Sequence, residues 1–116
     1  MWTETYDLHS HSTHSDGEHP VEHVGHLMAG NGVQTWALTD HDTASGWVEA
    51  SQVAKVNGMT FIPGVEITCT PAHPPMDEEL MKRERERASA SWHLLAYFPN
   101  HVPGKTDESV ASFLEW

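Results

Sequence analysis

The chain has 116 residues, 17 of them acidic and six basic, for a formal charge of −11. A chain of this length makes one small domain with a modest core, and one this negative repels nucleic-acid backbones rather than wrapping them. Its single cysteine, Cys69, rules out an internal disulfide and fits a reducing compartment.

The first residues, Met1-Trp2-Thr3-Glu4, lack the basic and apolar regions of a secretory signal, and no run approaches the roughly 20 apolar residues of a membrane span. The expectation is a cytoplasmic protein with no membrane contact. Short apolar segments alternate with helical ones, which predicts an α/β fold with parallel strands and flanking helices. Tyr6 to His11 is the first strand. A polar loop from Ser12 to His19 follows, and Pro20 opens a helix that Gly30-Asn31-Gly32 ends. Val21, Val24, Leu27 and Met28 form its core-facing stripe. Val33 to Thr39 is the second strand. The second helix begins near Thr43, presents Trp47, Ala50 and Ala54 on one face and stops at Asn57-Gly58. Met59 to Thr68 is the third strand, interrupted by Pro63-Gly64. A proline-rich loop and a charged helical stretch from Met76 to Ala88 precede a fourth strand, Trp92 to Phe98, and a last helix starts at Thr106. That helix carries Val110, Phe113, Leu114 and Trp116 with nothing left to cover them, and the fourth strand lacks a following neighbour. Both features read as the N-terminal portion of a longer protein.

Histidine stands out, at ten residues. In Asp7-Leu8-His9-Ser10-His11, strand alternation puts Asp7, His9 and His11 on one face, and two such imidazoles can converge on one cation at about 2.0–2.1 Å. Ser15-Asp16-Gly17 places a carboxylate in a tight turn, a weak signal alone. Leu38-Thr39-Asp40-His41-Asp42-Thr43 sets His41 at the carboxyl end of a strand, where α/β folds bind ligands. Asp40 is suited to orienting an imidazole, and Asp42 or Thr43 to capping the next helix. Glu66 lies in an apolar strand, where an unpaired carboxylate is costly and bridging two cations accounts for it. His93 repeats the theme on the fourth strand.

The ordered set His-x-His, Ser-Asp-Gly, Thr-Asp-His-Asp, Gly-Val-Glu and His-Leu-Leu resembles the PHP family, named for polymerase and histidinol phosphatase domains, from about Tyr6 to Phe98. The resemblance implies the N-terminal part of a distorted (β/α)7 barrel, with residues 1–116 a partial domain that continues further. It implies a site of up to three divalent cations (Mn, Zn or Fe). His9, His11 and Glu66 would hold the first, Glu66 would bridge to a second bound by His93, and Asp16 and His41 would hold a third. Catalysis would run through His9, His11 and Glu66 by way of a cation-activated water, with Asp40 in support. The family's later histidine and Asp-x-His pair have no counterpart here, since only His101 follows His93. The isolated chain is therefore expected to bind metal weakly and catalyse poorly.

The stretch 72–90 reads as an inserted lid holding four of the six basic residues, Lys82, Arg83, Arg85 and Arg87. The plainer reading is a solvated helix stitched by its own ion pairs. The sharper one brings Arg83, Arg85 and Arg87 to a substrate phosphate. His19, His23 and His26 read as a solvated helix face, His14 as a non-ligand, His73 as a residue near the site entrance, and Cys69 as a buried thiol pointing away from the metals. The expected function is a phosphoesterase acting on small phosphorylated substrates such as nucleotide bisphosphates or short RNA ends. Rivals are a histidinol phosphatase, a polymerase-associated domain, and a non-catalytic metal-binding module with an incomplete site.

Overall fold

The computed structural model describes residues 4–69, 78, 79, 82, 83 and 92–115. In chain order these form β1 (Tyr6–Asp7), α1 (Val21–Gly30), β2 (Thr35–Leu38), α2 (Trp47–Val56), β3 (Thr60–Cys69), β4 (Trp92–Tyr97) and α3 (Glu108–Leu114). The strands lie side by side in sequence order. β1, β2 and β3 are parallel, with Tyr6 opposite Thr35 and Trp36 opposite Phe61. β4 departs from the all-parallel expectation. It runs antiparallel to β3, pairing Gly64 with Tyr97 and Glu66 with Leu95. An antiparallel neighbour needs only that the chain turn back at the same end of the sheet, so strand composition does not reveal its direction.

β2 is buried along its whole length, as a continuous Trp36-Ala37-Leu38 run in a parallel sheet should be. α1 and α2 close over it. Val21, Val24, Val33, Trp36, Leu38, Ala50, Ala54 and Met59 form the core, with Met28, Val53 and Phe61 packed on its margin. Gly25 makes the close approach possible, since a Cβ there would sit 2.3 Å from Val53 Cγ1. Leu27 does not join the stripe and is 44% exposed. At 3.6 residues per turn it lies about 120° from Val21, whereas Val24 and Met28 stay within about 60°.

α2 starts at Trp47, later than the sequence suggests. Asp42 adopts a left-handed φ of 53° and the chain turns through residues 43–46 before Gly46 takes the N-cap position, without a side-chain cap. Neither Asp42 nor Thr43 caps the helix. Asp42 Oδ1 instead accepts from the Thr68 amide at 2.9 Å, and the Thr43 hydroxyl bonds Ser45. The indole of Trp47 donates to the Gly64 carbonyl at 2.8 Å, pinning α2 to β3.

β3 is not broken at Pro63-Gly64. It changes partners there, lying beside β2 through Pro63 and beside β4 from Gly64 onward. Proline has no amide hydrogen to give, and its carbonyl accepts from Phe98 N at 2.8 Å. Beyond Pro63 the β2 side persists as a single bridge between His41 and Glu66. α3 is capped by Asp107, and its apolar side is not bare: Val110 is buried and Phe113 meets Phe98 edge-on at 5.3 Å. Among the described residues, no helix is long and apolar enough to cross a membrane.

Candidate metal centre

β1 ends at Asp7, so His9 and His11 do not stand on a strand as expected. Their alternation is imposed by the serines between and after them. Ser10 is buried, donates to the Ala37 carbonyl at 2.8 Å and accepts from the Trp36 indole at 2.8 Å. Its backbone exchanges bonds with Thr39. Ser12, fully buried, gives both its amide and its hydroxyl to Asp40 at 2.6 Å. With the serines turned onto the end of β2, the two imidazoles face the other way. His9 Nε2 and His11 Nε2 lie 3.2 Å apart. Two nitrogens bound to one ion at about 2.0–2.1 Å in tetrahedral geometry would stand about 3.4 Å apart.

The loop that carries Asp16 folds back on itself, with Ser15 N and Gly17 N both donating to the Ser12 carbonyl. Gly17 is needed for closeness rather than for an unusual φ. A Cβ at that position would meet the His11 carbonyl oxygen at 2.5 Å. Asp16 then sits beside two imidazoles, 3.5 Å from His11 Nδ1 and 3.2 Å from His41 Nε2.

Glu66 is the hub. Its residue exposure is only 5%, and each carboxylate oxygen faces two histidines. Oε1 is 2.5 Å from His9 and 3.5 Å from His11, while Oε2 is 3.0 Å from His41 and 3.2 Å from His93. His41 reaches Glu66 because the bridge between their backbones sets them side by side on neighbouring chains. His93 lies across from Thr68 on β4, on the same face as Glu66. Three overlapping donor sets result: His9, His11 and Glu66; His11, Asp16 and His41; His41, Glu66 and His93.

A buried carboxylate needs a compensating charge. Among the described residues, the ion-pair partners of Glu66 and Asp16 are all imidazoles. His11 Nδ1 is buried without any hydrogen-bond partner among those residues. Ring nitrogens gathered around one another and around carboxylates, one of them 3.5 Å from Asp16 without a hydrogen bond, suit divalent cations. The mixed N and O donors do not choose among Mn²⁺, Zn²⁺ and Fe²⁺. Glu66, His11 and His41 form the sheltered floor, whereas the side chains of His9, His93 and Asp16 are 54%, 42% and 68% exposed and leave the centre open to solvent.

Sequence reading missed two contributors. Ser10 and Ser12 are one, their only signal being the alternation His-Ser-His-Ser. Tyr97 is the other. Its hydroxyl donates to the Leu8 carbonyl at 2.5 Å, tying β4 to the residue before His9 across 89 positions of sequence. Burial, then the negative charges of Asp7 and Glu66, raise its pKa above 10.0. Asp40 also differs from expectation. Both its oxygens are taken by Ser12 and Ser15, so it acts on the loop rather than by gripping an imidazole. Asp7 bonds the His9 amide at 3.3 Å and joins none of the donor sets.

The remaining histidines lie elsewhere. His14 bonds Ser45 at 2.7 Å, His101 packs on Trp47, and His19, His23 and His26 are exposed on or beside α1. Cys69 is half-buried rather than fully buried, and its thiol points at the Ile67 carbonyl. In the charged stretch, Arg83 pairs with Glu79 at 3.3 Å across one helical turn, the pattern of a self-stitched helix. His73, Arg85, Arg87 and most of the expected lid at 72–90 lie outside the described residues.

Comparison with known proteins bears on the family and the fold. A 5'-3' exoribonuclease of Haemophilus influenzae is 47% identical over 66 residues, 57% of this chain and 24% of that protein. The 5'-3' exoribonuclease Rnm of Salmonella typhimurium is 34% identical over 117 residues, 85% of this chain and 40% of its own length. A solved amidohydrolase from Chromobacterium violaceum, carrying sulfate and no metal, superimposes with a TM-score of 0.67 at 26% identity, over 96% of this chain and 32% of that one. The chain thus spans well under half the length of the proteins it matches, and its mixed α/β sheet corresponds to part of their barrel. Residues 7–106 match the PHP domain, from the start of the His-x-His segment to the approach to α3, and the chain belongs to the PHP domain family.

Proposed function

We propose that this domain holds divalent cations between the three donor sets and hydrolyses phosphate esters of small nucleotides or of short RNA ends. The observation that carries this reading is Glu66, a buried carboxylate with two imidazoles at each oxygen. Each donor set supplies three protein ligands, the number that leaves a coordination position open in catalytic sites. A bound divalent cation supplies Lewis acidity toward phosphoryl oxygens and lowers the pKa of water.

The chain's own residues have distinct tasks in this reading. His9, His11 and Glu66 hold one cation, Glu66 and His41 with His93 a second, and His11, Asp16 and His41 a third. His11 and His41 are thus shared, which refines the simpler division expected from the sequence. The exposed edge formed by His9, His93 and Asp16 admits the substrate phosphate. With a net charge of −11, the cations themselves provide the positive field a phosphate requires. Similarity to exoribonucleases favours nucleotide or RNA-end substrates over histidinol phosphate.

The test strips the protein with a chelator, restores Mn²⁺, and follows phosphate or nucleotide release from a 3',5'-nucleoside bisphosphate and a 5'-phosphorylated oligoribonucleotide. Turnover that needs Mn²⁺ and disappears in Glu66→Gln is expected, slow in a chain that spans well under half the length of the proteins it matches. Metal uptake without turnover on either substrate would favour a binding module, and no uptake at all would overturn the reading.

A further inference from the structure

We propose that Asp40 is a positioning residue for the cation pocket of His11, Asp16 and His41, acting through Ser15 and the loop at 12–17 rather than as a ligand. The inference rests on the metal-binding reading above and adds a residue to it. Asp40 is 1% exposed, and its carboxylate accepts three bonds of 2.6 Å, from Ser12 N, Ser12 Oγ and Ser15 Oγ. A carboxylate so engaged has no free oxygen to turn toward a cation without leaving a buried donor unsatisfied.

What those bonds hold is the loop. Asp16 follows Ser15 directly, and its side chain is 68% exposed. Its contacts with His11 and His41, at 3.5 and 3.2 Å, are to groups that would themselves be ligands. The tie from Ser15 to Asp40 anchors the Asp16 end of the loop to the segment after β2, beside the bonds that Ser15 N and Gly17 N give to the Ser12 carbonyl within the loop. His11, at the other end, is held from both sides, by Ser10 through Ala37, Trp36 and Thr39 and by Ser12 through Asp40, so the Ser15 bond is the one tie that bears on Asp16 without touching the neighbours of His11. On the other side, Asp40 is bonded covalently to His41, and its carbonyl accepts from Glu66 N at 3.2 Å. One buried carboxylate thus sets the spacing between Asp16, the donor found in this set alone, and His41, which this set shares with that of Glu66 and His93. Loss of the Ser15 tie should loosen that pocket and leave the others.

The experiment is calorimetric titration of the chelator-stripped protein with Mn²⁺, alongside thermal unfolding without metal. Asp16→Ala identifies the binding event that depends on this pocket. Ser15→Ala, which removes one half-buried hydroxyl and spares the carboxylate, should weaken that same event by about 10- to 100-fold, the usual cost of losing a group that supports a ligand. The remaining events and the metal-free midpoint should stay near wild type. Asp40→Asn, which changes an acceptor into a donor toward Ser12, should weaken the same event at least as much. Unchanged titrations in both variants would overturn the inference, as would equal weakening of every event with a fallen midpoint, the mark of a merely structural residue. Absence of Mn²⁺ uptake by the wild type would overturn the metal reading itself, a result distinct from either.

Discussion

Glu66 is costly to bury and costly to remove. Its two oxygens organise four imidazoles, so Glu66→Gln should leave the sheet intact while lowering divalent-metal affinity by more than about 100-fold, beyond the usual effect of a supporting residue; metal content after dialysis against Mn²⁺ checks this. Gly17 is constrained differently. Gly17→Ala would press a methyl group against the His11 carbonyl, at a cost of about 1–3 kcal/mol for an overpacked site, measurable as a lower midpoint in denaturant. The Tyr97 hydroxyl donates to the Leu8 carbonyl. Tyr97→Phe should cost about 0.5–1.5 kcal/mol and loosen the cation held by His9. Because folding raises the Tyr97 pKa above 10.0, its contribution is present below pH 10.0 and is lost as pH rises through the raised value. Wild type should therefore lose stability relative to Tyr97→Phe in alkaline titrations.

Among the elements, the capped α3 and the bare N-terminus of α2 contrast. Asp107 accepts from Ser109 Oγ and from the amides of Ser109 and Val110. The Ser109 side-chain bond, followed by the Val110 amide, lowers its pKa. A depressed folded-state pKa means that the stabilisation is present above the ordinary carboxylate range and disappears as pH falls through the lowered value. Asp107→Asn should flatten the acid limb of a thermal-stability profile between neutral pH and pH below 4. At the start of α2, Asp42 spends its side chain on Thr68 of β3 instead of on the helix. That choice, with its left-handed backbone, keeps His41 beside Glu66. A short β1 is tolerated for a related reason: Ser10 and Ser12 replace the missing strand pairing with side-chain bonds to β2 and to Asp40 just beyond it.

For the molecule as a whole, the proposed metal binding predicts a link to folding. A centre of histidines and carboxylates assembled from β3, β4 and two loops exists only in the folded chain, so cations should stabilise it by mass action, by about 2.7 kcal/mol when the free metal is 100 times its dissociation constant. Mn²⁺ should raise the thermal midpoint and excess chelator should reverse the rise. A midpoint insensitive to both would count against the centre.

The sequence by itself determined the donor types, their order and most of the element positions. Periodicity placed α1, α2, β2 and β4 within a few residues, because buried apolar faces must repeat with the period of the element that carries them. His9, His11, Asp16, His41, Glu66 and His93, which the sequence singles out by residue type and spacing, are the residues the fold brings together. Only the tertiary structure decided which of those side chains stand together, which way β4 runs, and what holds them. Register between β3 and β4 set His93 against Glu66, a left-handed Asp42 set His41, and Asp40, Ser10, Ser12 and Tyr97 fixed the loops through contacts up to 89 residues apart. Such supports leave little local trace, since a serine or tyrosine that anchors a distant backbone has the same neighbours in sequence as one that faces water.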